Sequence, residues 1–197
     1  MPNMSKIVEA SPTAHRQDAI LDAAFHAFST YGYKRCTMDD IAQGVGISRS
    51  ALYLHFRNKE DILRSLSTRF FDEAAIGVAA ALSTQDRPKA DTLCAAFVAY
   101  DGKFMDMFMN TPHGTELLEA GHQVSADQVA TGEARIHKLL ADWLLSLPLP
   151  AALGQAEGLA TTVLSALKGL KNNAKTPEGY RASQVQLAHI FALALDS

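Results

Sequence analysis

The stretch Thr37–Phe56 (TMDDIAQGVGISRSALYLHF) leaves this chain fewer folding options than any other part of it. Thr37 is placed to cap a helix that has Asp39 and Asp40 in its first turn, where acids suit the helix dipole. That helix runs through Ile41, Ala42 and Val45 and stops at Gly44–Gly46. Ser48 then caps a second, short helix ending near Leu54. A helix-turn-helix needs a small residue where the two helices cross, a glycine in the turn, and apolar pins beneath both. Ala42 meets the first need, Gly46 the second, and Ile41, Val45, Ile47 and Leu52 the third. Ser48, Arg49 and Ser50 lie at the leading end of the second helix, where a recognition helix meets base edges in a major groove.

Helical periodicity extends in both directions. Ile20, Leu21, Ala24, Phe25 and Phe28 predict a helix from about Ala14 to Tyr31, stopped by Gly32. Asn58 caps another that reaches about Leu82. Further helices are predicted over 90–110, Thr115–Ala120, 125–146, 151–172 and 178–195, broken by Pro112, Gly121, the LPLP of 147–150, and Pro177. No stretch alternates as a strand does. The expectation is an all-α chain of about nine helices. A loose arm (1–13) precedes a three-helix domain that carries the helix-turn-helix (14–60), and a helical body (61–197) follows.

Composition bears on function mainly by exclusion. Of 197 residues, 48% are hydrophobic and 20% charged, the balance of a globular protein rather than a disordered one. No run is long and apolar enough for a membrane helix, and the first residues lack a signal core. Cys36 and Cys94 lie far apart, and free thiols in a reducing cytoplasm are expected. Net charge is −3; residues 1–60 carry seven Lys/Arg against six Asp/Glu, so the remainder holds −4. That asymmetry fits a DNA-facing end on an acidic body. GxSxG, HExxH, P-loop and dinucleotide motifs are absent, so no enzyme, cofactor or metal site is expected.

The segment Arg16–Leu63 resembles the DNA-binding domain of the tetracycline-repressor (TetR) family. The resemblance rests on Arg16, Ile20, Leu21, Ala23, Ala24, Phe28, Gly32 and Thr37. It continues through Ile41, Ala42, Gly46, Ile47, Ser48, Leu52, Tyr53, His55, Phe56, Lys59, Glu60 and Leu63. Gly44 departs from the alanine common there. The resemblance implies phosphate contacts by Thr37, Ser48, Tyr53, His55 and Lys59, base reading by Arg49 and Ser50, and thymine-methyl contacts by Ala51 and Leu54. Thr37 and Ser48 also read as plain helix caps, and Tyr53 as a core aromatic. The resemblance further implies double-stranded operator DNA as partner, a homodimer closed by the last two helices, and release of DNA when a small molecule binds the body. For that effector, expected to be partly apolar, Phe97, Tyr100, Phe104, Met107, Phe108, His113 and Trp143 are the candidate lining; the simpler reading is core packing. His113 and His122 flank a short helix, but their spacing with Glu116 and Glu119 matches no standard metal site. An activator, a ligand-independent DNA-binding protein, an all-α enzyme and a helical adaptor are the alternatives.

Overall fold

A computed structural model describes residues 12–197, and the side chains of all of these but 12–14, 103–107 and 109. The described residues form nine α-helices: α1 (Pro12–Tyr31), α2 (Met38–Val45), α3 (Arg49–Tyr53), α4 (Lys59–Leu82), α5 (Lys89–Met109), α6 (Gly114–Val124), α7 (Ala126–Leu145), α8 (Ala156–Asn173) and α9 (Pro177–Leu195). A 3₁₀ turn at Ala151–Leu153 precedes α8. The first eleven residues of the expected arm lie outside the described residues. Its Pro12 opens α1, where its missing N–H costs nothing.

Two apolar clusters organise the chain. The N-terminal one joins Ile20, Phe28, Ile41, Leu52 and Ile62, each fully buried, and adds Leu117 from α6. The larger one packs Val78, Leu93, Phe97, Ile136, Leu140 and Leu167 between α4, α5, α7 and α8, with Ala188 of α9 against them. Each such side chain withdrawn from water contributes roughly 1.5–3 kcal/mol, so these clusters define the fold. Helix α4 enters both, with Leu63 and Leu66 in the first and Ala74, Ala75 and Val78 in the second. Helix α7 lies close on α4 because Gly132 faces Phe71; a Cβ at Gly132 would overlap that ring.

Three departures from the sequence expectation have identifiable causes. Helix α5 is interrupted at Gly102 (φ 59°, ψ −172°), a conformation that favours glycine. Beside the break, the buried Asp101 carboxylate accepts from Tyr180 Oη (2.7 Å), Lys171 Nζ (3.2 Å) and Gln184 Nε2, which ties the break to α8 and α9. Helix α6 passes through Gly121 and reaches Val124; its first and third turns pack on the N-terminal cluster through Leu117 and Val124, and that support overrides a weak local stop. Finally, α8 starts at Ala156, after Gly154 takes φ 77°. No helix among the described residues is long and apolar enough to cross a membrane.

Candidate nucleic-acid interface

The unit α2–turn–α3 is built by local hydrogen bonds. Thr37 takes an extended backbone (φ −108°, ψ 165°), and its Oγ1 accepts from the Asp40 amide at 3.3 Å. Asp40 answers: its carboxylate accepts from the Thr37 amide (2.8 Å) and the Thr37 hydroxyl (2.7 Å), closing a capping box. Those two bonds, the hydroxyl's first, hold the Asp40 carboxyl below the usual carboxylate range. At the other end of α2, Gly46 adopts the left-handed conformation (φ 76°, ψ 33°). The following Ile47 amide donates to Ala42 O at 3.0 Å. A Cβ at Gly46 would meet nothing within 4 Å, so backbone conformation, not space, selects glycine. Ser48 then caps α3 through Ala51 N (3.1 Å), and its hydroxyl lies 3.0 Å from that of Ser50.

Ser48, Arg49 and Ser50 are exposed on the leading end of α3, and Tyr53 is 42% exposed one turn on. Arg49 points outward. Its Nη1 pairs with Asp39 of α2 at 3.0 Å, its Nη2 donates to Tyr53 Oη at 3.4 Å, and its guanidinium carbon lies 5.5 Å from the Tyr53 ring centre. Leu54 is 86% exposed and Leu52 fully buried, so α3 has one face in the core and one in solvent. Ala51 is half-buried between them.

His55 and Lys59 occupy different surroundings. His55 is half-buried in an open cleft of about 380 Å³ lined also by Gln17, Arg57, Arg64 and Gln128. Lys59 reaches back over the turn between α1 and α2, where its ammonium donates to the carbonyls of Tyr33 (2.9 Å), Lys34 (3.1 Å) and Cys36 (3.3 Å) and lies 4.8 Å from the Tyr33 ring centre. All three N–H groups are committed to carbonyls outside both helices. Sequence spacing gave no hint of these partners, nor of Asp39 as the partner of Arg49.

The candidate effector residues divide. Phe97 and Tyr100 line a small apolar cavity of about 10 Å³ with Val78, Ile136, Leu140, Leu164 and Leu167. Trp143 packs at the edge of the body cluster. Phe108 instead stacks edge-on against Phe25 of α1 (5.3 Å, 71°), in the N-terminal cluster. His113 sits at the start of α6, its Nδ1 3.2 Å from Glu116. The other Glu116 oxygen accepts from the Lys34 amide at 3.0 Å, so α6 is bonded to the α1–α2 turn. That amide chiefly, with His113 assisting, keeps the Glu116 carboxyl below its ordinary value. His122 Nδ1 is 2.9 Å from Leu118 O on its own helix. Among the described residues no group of three His, Cys, Asp or Glu side chains is placed to hold a metal. The side chains of Phe104 and Met107 lie outside the described residues.

Residues 20–66 match the family described as "Bacterial regulatory proteins, tetR family". That likeness lies in the segment that carries α2 and α3. Two curated relatives extend the likeness beyond the matched region. The transcriptional repressor ComR of Escherichia coli K12 is 28% identical over 116 residues, 59% of this chain and 54% of ComR. The transcriptional activator FasR of Mycolicibacterium smegmatis is 32% identical over 119 residues, 60% of this chain and 52% of FasR. The chain thus spans about half the length of either relative. The crystal structure of the TetR-family regulator PfmR from Thermus thermophilus has the same fold: TM-score 0.64 at 20% identity, over 90% of this chain and 99% of PfmR. The fold shared with PfmR thus extends well past the matched residues, into α7, α8 and α9.

Proposed function

We propose that the protein is a homodimeric transcription regulator that binds operator DNA through α2 and α3 and releases it when a partly apolar small molecule enters the body. One observation supports DNA binding above all others. Arg49, flanked by Ser48 and Ser50, stands outward at the leading end of a short helix whose other face is anchored by a fully buried Leu52. In this reading Arg49 and Ser50 meet base edges, with Ala51 and Leu54 against thymine methyls. Ser48, Tyr53 and His55 contact phosphates. Thr37 contacts a phosphate only by releasing its hydroxyl or amide from Asp40, to which both donate. We give Lys59 a supporting part, since its ammonium is occupied in holding the α1–α2 turn.

A second copy provides the symmetry such a reader needs. Val185, Ile190 and Leu193 of α9 are exposed, Leu193 at 73%, and their side chains suit a helical interface between two chains. The body supplies the switch. The cavity beneath Phe97 and Tyr100 holds about 10 Å³, against roughly 300–1,000 Å³ for a typical ligand site. An apolar effector must therefore spread α4, α5, α7 and α8, and α4 continues into the N-terminal unit. Arg64 of α4 joins Asp127 of α7 at 2.6 Å, and α6 meets Lys34 through Glu116. The effector shifts affinity only as far as it prefers the spread form. The half-sites lie at fixed spacing, so spreading the two readers costs affinity. ComR is named a repressor, which favours repression here; FasR, named an activator, keeps activation as the second reading.

The experiment is enrichment of fragmented genomic DNA by the full-length protein, followed by titration of an apolar compound panel into the bound complex. Enrichment of a palindromic site, lost in Arg49→Ala and Tyr53→Ala, supports the reader. No enriched site refutes it. Failure of every compound to release DNA refutes the sensing half, and a monomer in light scattering at micromolar concentration refutes the dimer.

A further inference from the structure

We infer that Asp39 is a specificity-determining residue, which holds the Arg49 guanidinium in one orientation against Tyr53 and so decides which base Arg49 accepts. The inference rests on the reading of α3 as a DNA reader and extends it to a residue on the other helix.

A flexible exposed arginine makes a poor discriminator. To pair with both acceptors of a guanine edge it must bring two N–H groups into one plane at one place. In this structure that freedom is already reduced from two sides. Asp39, in the first turn of α2, takes Nη1 at 3.0 Å, and Tyr53, one turn along α3, takes Nη2 through its hydroxyl at 3.4 Å while its ring lies under the guanidinium. A guanidinium has five N–H donors. Two are occupied, which leaves three to face a base. Stability does not account for the pair, since the side chains of Arg49 and Asp39 are 61% and 59% exposed and such ion pairs add little.

The carboxylate also acts on the wrong partner. Asp39 stands on the surface that meets the duplex, so its charge opposes phosphates at every site, cognate or not. Only a guanine in reach of the aligned Arg49 offsets that repulsion, so the residue raises selectivity at the expense of general affinity.

The test uses the full-length protein and a randomised duplex library, with each selected sequence set compared position by position. The wild-type protein should select a half-site with a guanine that Arg49→Ala no longer requires, a preference of about 5- to 150-fold. Asp39→Asn should lower the preference at that same position by threefold or more, leave the other positions alone, and bind unrelated duplex no more weakly. Asp39→Glu should restore part of the preference. In the Arg49→Ala background Asp39→Asn should change nothing further at that position. Melting curves confirm that each variant folds. If Asp39→Asn keeps the full guanine preference, or loses preference equally at all positions, the inference is overturned while the reader itself stands. If the wild-type protein selects no sequence, both fall together.

Discussion

Lys59→Met separates two roles that one lysine can play near DNA. In the structure the ammonium donates to three carbonyls of the α1–α2 turn, at 2.9, 3.1 and 3.3 Å. Methionine keeps an apolar stem that ends one atom short of the ammonium nitrogen, and removes the donors. The bonds to Tyr33 O and Cys36 O are partly buried, whereas the one to Lys34 O is exposed, and water replaces it cheaply. Two partly buried bonds to a charged donor are worth about 1.5 kcal/mol each at the low end of their range. Loss of the cation over the Tyr33 ring adds roughly 0.5–1 kcal/mol. The expected destabilisation is about 3.5–4 kcal/mol, which for a chain of this length lowers the melting temperature by roughly 7–16 °C. The assay pairs thermal unfolding with DNA affinity across a salt series. A supporting lysine predicts a lower melting temperature and an unchanged slope of log affinity against log salt. The reasoning is refuted if Lys59→Met melts like the wild type and its salt slope falls by about one, because the ammonium would then be neutralising a phosphate.

Three further outcomes follow from the same geometry. Gly44→Ala should stabilise the protein by about 0.5–1 kcal/mol in thermal unfolding, because the position is helical and the new methyl would lie 3.6 Å from Ala23 Cβ, an ordinary contact. Gly132→Ala should destabilise by at least about 1–3 kcal/mol, because the added Cβ collides with Phe71 near its backbone, where rotation gives little relief; a melting temperature equal to wild type would contradict this. Burial, with Asp40 next in effect and Lys59 opposing, pushes the Cys36 thiol up to about 11, so near neutral pH a thiol reagent should modify native protein at Cys94 alone and reach Cys36 only in denaturant.

Features set by neighbours in the chain were readable beforehand. The caps at Thr37, Ser48 and Asn58 each hold the amide three residues on, and Gly46 takes the left-handed turn its place between two helices demands. These depend on a few consecutive residues. What was not readable spans longer distances. Nothing local marks Lys59 for carbonyls 23 to 26 residues earlier, or Glu116 for an amide 82 residues earlier. The break at Gly102 hid inside an apolar stripe that looks continuous on both sides. Phe108 looked like a companion of Phe97 and Tyr100 because all belong to α5, yet beyond the break it joins Phe25 in the other cluster. His113 gave no sign of the Gly32 turn that it and Glu116 face.

The place of Leu117 has a practical side for anyone building hybrid regulators. This side chain from α6 is 2% exposed among residues of α1, α2, α3 and early α4. A chimera cut near residue 60 would tear out Ile62, Leu63 and Leu66 as well, and leave the transplanted portion with an open socket. Foreign bodies would have to bring their own plug of matching shape. On the function proposed above, the reading is therefore better changed by exchanging the few exposed side chains of α3 than by moving the whole N-terminal unit.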